Sequence, residues 1–72
     1  MSEKTPSQAA KERVIEEKRQ LDEKIKKLYA FLVNEEKASK ITTRQKSLLG
    51  RQLDIMTDYS DILNKRLLWW ED

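Results

Sequence analysis

The feature that most restricts this chain is a thin apolar stripe inside an unbroken charged stretch, Arg13 to Val33. Within RVIEEKRQLDEKIKKLYAFLV, Val14, Leu21, Ile25, Leu28 and Leu32 recur at steps of seven, four, three and four. At 3.6 residues per turn those steps line one face of an α-helix. Glu16, Glu17, Arg19, Asp22, Glu23, Lys24, Lys26 and Lys27 fill the other faces, so the helix is wet on most sides. Such a helix is marginal alone and draws its stability from whatever covers the stripe. The chain after Asn34 is read as that cover.

Start and stop signals frame two helices. Thr5 suits an N-cap, Pro6 the first helical position, and Gln8 completes a capping box. From Pro6 to Val33 nothing breaks the helix, about 42 Å at 1.5 Å per residue. Ala9 and Ala10 interrupt the stripe, which leaves a bend or a separate short N-terminal helix open. Met1–Lys4 is expected to be disordered. Residues 34–42 read as a loop, with Asn34 a left-handed C-cap. Thr42 and Gln45 form a second capping box, and a helix is expected over about 43–70. Two helices of similar length with a short loop predict an all-α antiparallel hairpin, one domain over residues 5–72.

The second helix carries more apolar surface than the first can cover. One stripe is Leu49, Leu53, Met56, Ser60, Leu63, Leu67 and Trp70. A second, with the same alternating steps of three and four, is Leu48, Gln52, Ile55, Tyr59, Ile62, Arg66 and Trp69. The narrow face of the first helix covers one of them. The surplus, ending in Trp69 and Trp70, predicts a homo-oligomer. A chain of 72 residues points the same way, since it buries little core by itself. Gly50 inside the helix costs about 1 kcal/mol against Ala; it marks either a close backbone approach or a tolerated surface position.

Composition excludes several chemistries. Without cysteine there is no disulfide or thiolate zinc site, and without histidine the commonest general base and metal ligand are missing. Ser7, Ser39, Ser47 and Ser60 have no base partner, and no glycine-rich phosphate loop is present. No catalytic, metal or cofactor site is therefore expected. Asp54, Asp58 and Asp61 share a helical sector and are read as a solvated acidic edge. No apolar run approaches the roughly 20 residues of a membrane span, and no signal peptide is seen. The net charge of +2 gives no global steering towards a DNA or RNA polymer, so any anion site is a local cluster.

Two such clusters stand out. Lys24, Lys26 and Lys27 lie within one turn, with Arg13 and Lys18 upstream; they form either a solvated basic face or a phosphate site. Arg66 sits in a mostly apolar stripe. Either its stem packs while its head reaches water, or copies of it converge on one anion at an oligomer axis. Tyr29, Phe31, Tyr59, Trp69 and Trp70 are read as packing residues, with Tyr29, beside the lysines, the one that could instead stack on a base.

The joint pattern of these residues resembles a known family. Arg13-Val14 with Glu17, Lys24 with Lys27-Leu28 and Phe31-Leu32, and Gln52-Leu53, Met56, Tyr59, Ile62-Leu63 and Arg66-Leu67 are similar to the helical hairpin of phage sponge proteins, the anti-CBASS and anti-Thoeris proteins. The resemblance covers about Arg13 to Leu68. It implies a non-enzymatic homo-hexamer in the host cytoplasm that sequesters cyclic nucleotide messengers of bacterial anti-phage signalling. In the family, cyclic dinucleotides bind between protomers through an N-terminal aromatic and a lysine of the first helix, which Lys24 or Lys27 matches. Cyclic trinucleotides bind at three-fold pores through an arginine, which Arg66 matches; some members hold cyclic ADP-ribose isomers. Ala9 and Ala10 stand where the aromatic falls. The expected ligand-binding set is Lys24, Lys27, Arg13 and Arg66. The alternative is a helical protein-interaction module or a direct inhibitor of a host protein.

Overall fold

The computed structural model describes residues 5–71; Met1–Lys4 and Asp72 lie outside the described residues. Three helices follow in order: α1 Pro6–Val33, α2 Glu35–Ala38 and α3 Thr43–Leu68. The start of α1 is closed by the expected box: the Thr5 hydroxyl accepts from the Gln8 N–H, and the Gln8 side chain accepts from the Thr5 N–H, each at 3.1 Å. Only half of the second box forms: Thr42 caps α3 by accepting from the Gln45 N–H at 3.1 Å, without the return bond to the Gln45 side chain.

Several local expectations change. The α1 helix is continuous through Ala9 and Ala10, with no bend into a separate N-terminal helix. Alanine is the best helix former, so losing two stripe positions does not interrupt the backbone. Asn34 is not left-handed; it has φ −86° and ψ 101°. No described residue has a positive φ. Its side chain accepts instead from the Lys37 N–H at 3.1 Å and starts the single turn α2. The expected loop thus contains a helical turn, which carries the reversal and buries Ala38. The α3 helix ends at Leu68, about two residues early, with Trp69 as its C-cap.

α1 and α3 pack antiparallel, as expected. Ser60 donates to Asp22, and the Trp70 indole N–H donates to Ser7 Oγ at 3.0 Å, so late residues of α3 meet early ones of α1. Val14, Leu21 and Leu63 form the core, with Ile25, Met56, Leu67 and Trp70 against them. The protein measures 54 × 22 × 14 Å. A helix with side chains is about 10–12 Å across, so two helices lie side by side in one layer, and the seam is the core. Among the described residues nothing covers the broad sides of that layer.

Candidate functional site

The outer stripe of α3 is left open. Ile55 is 67% exposed, Ile62 55%, Tyr59 42% and Leu48 49%, whereas all seven residues of the inner stripe are buried or half-buried. The α1 residues that share this side follow from helix geometry. Two antiparallel helices face each other and wind in opposite senses as seen from one end. Positions just before a seam residue therefore fall on the same side of both. On α1 these include Arg13, Glu17, Lys24, Lys27 and Phe31; on α3, Leu48, Ile55, Tyr59, Ile62 and Arg66. All four expected ligand-binding residues lie on one broad face, beside the exposed apolar stripe.

They do not lie at one point. Ser60 against Asp22 and Trp70 against Ser7 set the register. Arg66 falls between those two levels, across from the stretch of α1 that holds Arg13 and Glu17. Lys24 and Lys27 lie about 16–21 Å further along α1, level with the region around Ile55. A single hairpin thus has an arginine pair near its open end and a lysine pair near its middle. A ligand that needs both pairs must bridge copies or span that length.

Ion pairing separates these cations from Lys18, Arg19 and Lys65. Arg19 holds Glu16 at 2.6 Å and Glu23 at 2.8 Å, Lys18 holds Asp22 at 2.6 Å, and Lys65 holds Asp61 at 2.9 Å. The Arg19 and Gln20 hydrogen bonds pull Glu16 down to about 2, and the Asp61 carboxylate raises Lys65. Arg13, Lys24, Lys27 and Arg66 are exposed and make no ion pair among the described residues. Their charges are available to a ligand anion without first breaking a pair to a described residue. Lys26, expected within the same cluster, belongs to the opposite side of α1 by the same geometry.

Three features were not identified from the sequence. Lys18, Asp22 and Ser60 form a clasp across the seam: Asp22 accepts from Lys18 first and from buried Ser60 second, and both lower its pKa. Ser60 sits at a seam position, where a hydroxyl requires a partner; naming Asp22 needed the helix register. Ser7 and Trp70 join the open end. A shallow depression of about 440 Å³ on the outer side of α3 is lined by Leu48, Arg51, Gln52, Ile55 and Met56. It adds Arg51 to the cations bordering the apolar stripe. Among the described residues no helix is long and apolar enough to cross a membrane, and no metal-ligating cluster forms.

A family model described as Sequestin matches residues 8–68. The chain belongs to the Sequestin family. No curated protein and no solved structure matches it significantly. The name fits the resemblance to sponge proteins of the anti-CBASS and anti-Thoeris type, and it suggests holding a ligand rather than transforming one. The Sequestin match spans the inner seam, the outer stripe through Arg66, and Arg13, Lys24, Lys27 and Arg66. It stops before Trp69 and Trp70.

Proposed function

We propose that this Sequestin-family chain is a phage immune-evasion sponge in the host cytoplasm. It binds cyclic nucleotide messengers, namely cyclic di- or trinucleotides or cyclic ADP-ribose isomers, and withholds them from their effectors without cleaving them. The observation that supports this is one side of the hairpin carrying both an open apolar stripe and the cations Arg13, Lys24, Lys27 and Arg66, none of them paired with a described residue. The stripe suits association with further copies, up to a homo-hexamer, and the cations suit phosphate. Lys24 and Lys27 would serve a dinucleotide held between copies. Arg66, brought to an axis with Arg13 beside it, would serve a trinucleotide. No bond is made or broken: affinity comes from charges already in place, and the effect is stoichiometric.

A binding screen of the purified protein against cyclic dinucleotides, cyclic trinucleotides and cyclic ADP-ribose isomers tests this. A sponge binds at least one and releases it intact on denaturation. Recovery of a linear product makes the protein an enzyme. The exposed stripe equally suits a partner protein, and a chain that binds none of these nucleotides but captures a host protein is an interaction module or direct inhibitor.

A further inference from the structure

Trp69 is the most exposed large apolar side chain described, at 77%. An indole joins a large apolar face to an N–H donor, which is why tryptophan is enriched at interfaces. The Trp69 backbone is nonetheless held on both sides. The Trp69 N–H donates to Lys65 O at 3.0 Å and the Trp70 N–H to Leu67 O at 3.3 Å. The neighbouring Trp70 side chain is tied to α1 through Ser7 at 3.0 Å and packs on the core. Trp70 therefore anchors the end of α3, and Trp69 projects from that anchored turn. Arg66 lies three residues earlier, so the two side chains are neighbours on the helix surface. Arg13 is level with Arg66 on the same broad face. The open end of the hairpin thus presents a flat aromatic surface beside two arginines that no described carboxylate holds.

We propose that Trp69 is a ligand-binding residue whose indole stacks on a nucleobase while Arg66 and Arg13 hold the adjoining phosphate. This rests on the nucleotide-sponge reading and adds to it a residue beyond the family match. The charges complement a nucleotide: an aromatic face accepts any base, and guanidinium groups suit phosphate oxygens. Glu17 lies at the same level and limits the density of negative charge that the site accepts. A second copy seated on Trp69 is the competing occupant.

Leucine and phenylalanine at position 69 separate the two. Trp69→Leu keeps apolar bulk but loses the ring; Trp69→Phe keeps a ring. The probes are a cyclic dinucleotide of guanine and adenine and a cyclic trimer of adenylate. Affinity is read by calorimetry, mass by light scattering, and helicity by circular dichroism. Stacking predicts that Trp69→Leu weakens binding roughly fivefold to a hundredfold at unchanged mass and helicity. Trp69→Phe should retain most of the affinity. Ligand should also quench tryptophan emission in the wild type, and Trp69→Phe, which still contains Trp70, should lose that quench. Unchanged affinity in Trp69→Leu, or a fall in its assembly mass, overturns the stacking role and leaves the sponge reading intact. A wild-type protein that binds neither these probes nor cyclic ADP-ribose isomers refutes both.

Discussion

The two stripes of α3 share a helix, a period and a similar apolar content, yet they meet opposite fates. Leu63 is fully buried; Ile62 beside it is 55% exposed. The inner stripe contains one polar residue, Ser60, and the outer stripe two, Gln52 and Arg66. In the inner stripe Ser60 is answered within the chain, by Asp22. In the outer stripe Arg66 forms no ion pair with any described residue, although Glu17 is level with it. Inside a hairpin a polar group must be satisfied by the fold itself. On a face the fold leaves open, it can wait for something else. The inner stripe therefore reports on stability and the outer one on association and ligand.

The largest test of that division replaces an apolar residue in each stripe by Asp. Leu63→Asp buries a carboxylate in the seam at a cost of several kcal/mol, and the chain should lose its helicity by circular dichroism. Ile55→Asp should keep the helices and lower the assembly mass at micromolar concentration. If Ile55→Asp leaves that mass unchanged, the outer stripe is not the contact between copies.

Next in size are the cations of that face. Lys24→Glu with Lys27→Glu should leave helicity unchanged and abolish or severely weaken dinucleotide binding by calorimetry. Each lost charged hydrogen bond is worth roughly 1.5–3 kcal/mol, or about tenfold to over a hundredfold in affinity. Arg66→Leu distinguishes an axial anion site from internal pairing. If copies of Arg66 converge, removing their repulsion should raise the melting temperature of the empty oligomer and eliminate stabilisation by cyclic trinucleotide. If Arg66 instead answers a carboxylate of a neighbouring copy, Asp58 or Asp61, the melting temperature should fall. Asp61 is a weaker candidate, since Lys65 already holds it.

A smaller effect belongs to the seam. Ser60→Ala should cost about 1 kcal/mol in denaturant unfolding, the net value of one hydrogen bond. It should also change the acid response. Asp22 is lowered in the folded state by Lys18 and Ser60, so its contribution is present above the unfolded carboxylate value of about 4. That contribution is lost as pH falls through the lower folded value, and Ser60→Ala should reduce the amount lost. The smallest expected effect is at Gly50, where an added Cβ meets nothing within 4 Å. Gly50→Ala should stabilise the isolated hairpin by up to about 1 kcal/mol. A stable hairpin with weakened assembly would instead place Gly50 against another copy.

Much of this fold was legible because its signals are local. Thr5 with Gln8, and the steps of three and four along each stripe, depend on residues within a turn of one another, and both long helices formed where those signals stood. Asn34 was misread because its side chain suits two roles, closing one helix or opening the next. The one-turn helix α2 was too short for periodicity to show. The candidate site was legible as residue types but not as an arrangement. Arg13, Lys24, Lys27 and Arg66 were each conspicuous, whereas their division into two pairs required the register between helices.

By itself the sequence determined that two long amphipathic helices form, where they start, and that one carries more apolar surface than its partner covers. These follow from backbone propensity, capping and periodicity, which act over a few residues. Only the tertiary structure decided which cations share a side with the open stripe, that Asp22 answers Ser60, and that Trp70 ties to Ser7. Those relations join residues dozens of positions apart, and they are set by how two antiparallel helices slide and rotate to fill one seam.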